Sequence, residues 1–140
     1  MQCKPMMIWR PVPDNSFFRA CVKGDEGVFD VRMDVECSQS SRKLTQAQLV
    51  KCPTTVPSPE LVPINKGDHC TFDLVLNITS DPPAGKPVIV DLRIVDKDNK
   101  VVQVGDGMGG TRPAQCTSQF TKATGAKPVG IVVVAVAVKK

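Results

Sequence analysis

The sequence predicts an all-β fold: a disulfide-stabilised antiparallel two-sheet β-sandwich of immunoglobulin-like architecture, built by residues 1–140 as a single unit. Three observations carry this prediction. Residues 28–37 and 70–79 alternate apolar and polar side chains with a period of two, which marks strands with one buried and one wet face. Twelve Pro and ten Gly punctuate the chain, as short strands joined by turns require. Six cysteines are dispersed along it, with no CxxC pair and one histidine. That pattern disfavours zinc and thioredoxin-type redox chemistry and reads as disulfides in an oxidising compartment.

The elements follow in chain order. Residues 1–20 hold Pro5, Pro11 and Pro13 around Met6-Met7-Ile8-Trp9. They are expected to form an extended lead-in or an edge strand, because Pro cannot donate to a central ladder. Met6, Met7 and Trp9, with Met108 further on, are candidate interaction residues. The alternative is that the cluster covers the open end of the sandwich. In 28–37, Phe29, Val31, Met33, Val35 and Cys37 share one face, so Cys37 is predicted to point inward. In 38–52, Thr45 and Gln48 have capping-box spacing for a helical turn, and Cys37 with Cys52 would close the segment as a loop.

Residues 53–63 carry Pro53, Pro57, Pro59 and Pro63. That density fits an extended crossover between sheets. Asn65 to Asp68 form a turn. The strand after it places Cys70, Phe72, Leu74, Leu76 and Ile78 inward. Residues 87–104 read as a hairpin with its turn at Asp96 to Lys100. Residues 105–130 are expected to be irregular, with Cys116 tying them down. The apolar run 131–138 fits a strand buried on both sides, or one whose outer face meets another element or chain.

The cysteines Cys3, Cys21, Cys37, Cys52, Cys70 and Cys116 are all disulfide candidates, and six allow 15 pairings, which the sequence leaves open. Asn77-Ile78-Thr79 is a candidate N-glycosylation sequon. His69, the sole histidine, stands beside Cys70 and is expected to be an exposed loop residue. Asp30, Asp34 and Glu36 lie on a wet strand face and are not a buried acid–base pair. Asp96, Asp98, Asn99 and Asp106 are explained by turn chemistry, and no EF-hand pattern surrounds them. Gly105 to Gly110 has no following Lys-Ser/Thr for a phosphate cradle. No catalytic residue, cofactor or metal site is therefore expected.

Net charge is +4, with Lys and Arg scattered rather than striped, which disfavours nucleic acid. The longest apolar run is far shorter than the roughly 20 residues of a membrane-crossing helix. No apolar h-region follows Met1, so the expectation is a secreted chain from which a signal peptide has been removed.

The segments Phe18-Arg19-Ala20-Cys21, Gly27-Val28, Val35-Glu36-Cys37 and Lys66-Gly67 give the first half a faint likeness to the MD-2-related lipid-recognition family. The family's paired second-half cysteines and its cysteine near the last strand have no counterpart. The resemblance implies a lipid or small apolar ligand held between the sheets. The residues themselves point first to a secreted, non-enzymatic recognition module engaging an extracellular protein or glycan through loops or a sheet edge. A third expectation is an assembly subunit that oligomerises through strand 131–138.

Overall fold

The computed structural model describes residues 2–25, 27–38 and 62–137, together with the backbone of 40–44. Within these residues the protein is all-β. The strands are β1 (Met6–Val12), β2 (Ser16–Lys23), β3 (Phe29–Cys37), β4 (Ser40–Leu44), β5 (Val62–Ile64), β6 (His69–Ile78), β7 (Val88–Val95), β8 (Gln103–Gly105), β9 (Thr111–Pro113), β10 (Gln115–Phe120) and β11 (Val129–Ala137).

One sheet has the order β1-β11-β6-β3-β4, the other β10-β7-β2-β5, and β8 and β9 form a small separate hairpin. All pairings are antiparallel except β1 with β11, which is parallel. The inner faces interdigitate, as the alternating buried positions of β3, β6, β7 and β11 require. Phe18 of β2 and Phe72 of β6, both fully buried, stack across the layers with ring centroids 3.7 Å apart. The arrangement is a disulfide-braced, sandwich-like stack of two sheets.

Two disulfides brace distinct parts. Cys37 and Cys70 are cross-strand partners on β3 and β6, Cα atoms 4.0 Å apart. Cys3 joins Cys116 of β10 and so ties the approach to β1 onto the opposite sheet. The Cys37–Cys52 loop closure suggested by sequence is therefore not formed, because Cys37 already faces Cys70 in the ladder. Cys21 is also disulfide-bonded. Cys52 lies outside the described residues, as do Thr45, Gln48 and the Pro-rich residues 53–61.

Several expectations change at the level of elements. The lead-in 1–20 contains all of β1 and the start of β2. The second half of the 87–104 hairpin peels away after one bridge, Val95 with Val101, and β8 pairs with β9 instead of β7. The irregular region 105–130 contains β9, β10 and the first residues of β11. Residues 40–44 extend as a strand on β3, and the helical turn expected from Thr45 lies outside the described residues. Pro63 does sit in a strand, but β5 is the edge of its sheet, where a missing N–H is tolerated.

The largest correction concerns 131–138. Its described part belongs to β11, which lies between β1 and β6 and pairs with both. Both its backbone edges are occupied, so it offers no ladder to a neighbouring chain. Among the described residues the edge on this side of the sheet is β1.

Candidate functional site

The chemistry of the β1 edge follows from the ladder phase. The Val132 N–H donates to the Pro5 carbonyl at 2.9 Å, and Met6, Met7, Ile8 and Trp9 register with Val132, Val133, Val134 and Ala135. In a parallel ladder one residue in two turns both its N–H and C=O toward the partner. Here these are the odd positions: Met7 and Trp9 bond to β11. Met6, Ile8 and Arg10 turn theirs the other way, toward the open edge. The phase also explains why pairing breaks between Trp9 and Val12. Pro11 is an odd position, and it has no N–H to give.

Side chains alternate with the same period. Met7, Trp9 and Val12 are buried. Met6 is 63% exposed and Ile8 51%; Arg10 is exposed beside them, and exposed Lys4 precedes the strand. Behind Met6 and Ile8 lie Val132 and Val134, half-exposed on the outer face of β11. The result is an apolar strip two strands wide at a sheet margin. At the far end of β1 the β8 backbone comes close: a Cβ placed on Gly105 would lie 3.6 Å from the outward Arg10 carbonyl. The open ladder groups are therefore those of Met6 and Ile8. Among the described residues neither strand has a ladder partner on that side.

The predicted interaction residues divide. Met6 belongs to this edge, and Met108, 90% exposed, tips the β8–β9 hairpin beside it. Met7 and Trp9 do not: at 6% and 0% exposure they are core residues, because β1 is a regular strand and alternation turns them inward. Among the described residues Trp9 Nε1 is buried without an acceptor. Ile8, which sequence reasoning had not singled out, is the central residue of the edge. Its signal was the Pro5/Pro11 bracket around the apolar run Met6-Met7-Ile8-Trp9.

Other candidates sit elsewhere and do not join the edge. Asn77 is on the outer face of β6, half-buried, with Oδ1 accepting from the Thr124 hydroxyl at 3.1 Å. His69 is exposed at the start of β6. Asp96 Oδ1 accepts from the N–H groups of Asp98 and Lys100, and Asp106 Oδ1 from those of Met108 and Gly110; both carboxylates shape their own turns. Asp68 lies beside Cys37 and Cys70, yet both sulfurs are in a disulfide. Its carboxylate accepts from Ser38 Oγ and Asn65 N–H at 3.1 Å each, tying together two turns.

A second polar cluster was not foreseen. On the outer face of the four-stranded sheet, Arg19 stands opposite Arg93, and Asp91 opposite Cys21 and Thr117. Arg93 forms an ion pair with Asp91, to which Thr117 Oγ1 also donates at 3.4 Å. Burial and the nearby Arg93 cation lower the Arg19 pKa, with Asp91 partly opposing them. At the base of the same sheet, a groove of about 370 Å³ is lined by Lys23, Asp25, Lys86 and Ile89 among others.

Among the described residues no helix is long and apolar enough to cross a membrane. The disulfides of this small β protein are consistent with an extracellular location. Compared with known proteins, the chain matches no family model, no curated protein and no solved structure.

Proposed function

We propose that this chain is a secreted, non-enzymatic recognition module of immunoglobulin-like layering that binds an extracellular protein by strand addition at β1. One observation carries the reading. Met6 and Ile8 present ladder groups unpaired among the described residues and large exposed apolar side chains together, on one edge. Folded proteins usually blunt such edges with charges, Pro, bulges or covering loops; on β1 these stand at the ends, at Lys4 and Pro5 and again from Arg10 on, and leave Met6 and Ile8 between them. An extended peptide docking there gains main-chain hydrogen bonds from the ladder and side-chain contacts from alternate positions. The Cys3–Cys116 disulfide supports the reading, because it fixes the approach to β1 on the opposite sheet and so pre-organises the edge.

Compared with a carrier, this reading draws on more of the described geometry. A ligand held between the layers needs a gap, and the Phe18–Phe72 stack closes that space between β2 and β6.

The test is selection of extended peptides from a displayed library on the intact chain. The reading expects enriched binders whose affinity collapses on Ile8→Pro, a change that removes an outward N–H. Enriched binders that compete with one another but ignore Ile8→Pro would overturn it.

A further inference from the structure

We infer that the partner segment of this edge is acidic and apolar in alternation: two apolar residues at alternate positions, with a carboxylate two residues beyond each. The inference rests on the strand-addition reading above and names the chemistry of its partner. Outward from the sheet, β1 presents Met6, Ile8 and then Arg10, all exposed, and exposed Lys4 stands two residues before the strand. The apolar pair is thus bracketed by two cations. An added strand sets its residues opposite Met6 and Ile8 and brings the residues that flank them within reach of the long Lys4 and Arg10 side chains, where opposite charges stabilise and like charges destabilise the pairing. Apolar residues opposite Met6 and Ile8 would extend the strip already formed with Val132 and Val134. Carboxylates within reach of Lys4 and Arg10 complete the match. The motif acid–x–apolar–x–apolar–x–acid reads alike in both chain directions, so it serves parallel or antiparallel addition.

The local field favours this occupant. Of the carboxylates close to the edge, Asp106 already accepts two hydrogen bonds within its own turn, and Asp73 lies two strands in, opposite Val132. Neither stands beside Arg10 or Lys4 on β1.

A second copy of this chain fits less well. Antiparallel self-pairing centred on Met7 sets Lys4 against Arg10 of the copy, cation on cation. Centring on Ile8 sets Met6 against Arg10 and Lys4 against Val12 of the copy, an apolar side chain against a cation at both ends.

The experiment uses three fluorophore-labelled heptapeptides on the intact chain, followed by anisotropy. The first is Glu-Thr-Val-Thr-Val-Thr-Glu; the others replace both Glu by Gln or by Lys. The expected affinity order is Glu above Gln above Lys, with about a tenfold spread between the extremes. Arg10→Glu should shrink or invert that order, and both Ile8→Pro and Ile8→Asp should abolish binding of the Glu peptide. Equal binding of all three peptides, still lost on Ile8→Pro, overturns the acidic partner and leaves strand addition standing. Charge-ordered binding that survives both Ile8 variants shows diffuse electrostatics and overturns the inference. No binding of any peptide overturns both readings. A chain that sediments as a dimer and becomes monomeric on Ile8→Pro identifies a second copy as the occupant, which also overturns the inference.

Discussion

Proline at neighbouring positions of β1 should have opposite consequences, because the ladder phase assigns neighbouring N–H groups to opposite sides. Met7 donates inward to the Val132 carbonyl, as the Val132-to-Pro5 bond and the register require. Met7→Pro removes that donor and leaves the carbonyl unpaired, which costs about 1–3 kcal/mol. It also removes most of a methionine side chain that is 6% exposed, worth a further 1–2 kcal/mol or so. The expected total is about 2–5 kcal/mol. Ile8→Pro removes an N–H that no strand accepts. Its side chain is already half exposed, and the extended backbone of Met7 suits a residue before proline. Its cost should stay below about 1 kcal/mol, as for proline at other sheet edges.

Urea denaturation with linear extrapolation measures both costs, and thermal melts check them at about 3–5 °C per kcal/mol for a chain of this size. Met7→Pro should therefore melt about 6–25 °C below the parent, and Ile8→Pro within about 5 °C of it. Equal losses, or a larger loss for Ile8→Pro, would refute the ladder phase and with it the open edge.

Three further outcomes follow from the core and its braces. Phe72→Ala removes one ring of the inter-sheet stack and should cost about 3–5 kcal/mol in urea denaturation, with Phe72→Leu costing clearly less. On loop-closure entropy, replacing Cys3 and Cys116 by Ala, with a separation of 113 residues, should destabilise by about 5 kcal/mol; replacing Cys37 and Cys70, with a separation of 33, by about 4 kcal/mol. The order of the two midpoints is the check, and a larger loss for the shorter loop would count against the entropic account. Asp68→Asn keeps one acceptor for two donors, the Ser38 hydroxyl and the Asn65 N–H, so it should cost about 1–2 kcal/mol, read from the same denaturation curves.

What the sequence displayed well was period-two burial. β3 and β6 were legible because each has one inward and one wet face, and Cys37 and Cys70 fall on the inward one as expected; β11 was legible only as an unbroken Val-rich run, without its inward face. β2 was not, because Arg19 and Cys21 are buried on its outer face as well. With both faces covered, alternation vanishes from the sequence. β10 was missed for another reason. Its residues are mostly polar, Gln115 to Gln119, and its place in the sheet comes from pairing with β7 and from the Cys3–Cys116 bridge. The site was half legible. Met6 and Trp9 look alike in composition, and only their parity along β1 separates an exposed edge residue from a core one. The parallel partner that sets the ladder phase lies more than a hundred residues away in sequence, and local pattern does not reach that far.

The exposed edge itself is open to one direct measurement: residue-resolved amide hydrogen exchange on the dilute, unliganded chain. The N–H groups of Met7 and Trp9, bonded to β11, should be protected by several kcal/mol of opening free energy, while those of Met6 and Ile8 between them exchange near the unstructured rate. Protection of Ile8 equal to that of Met7 would mean that the edge is already covered, and recognition by strand addition at β1 would be contradicted.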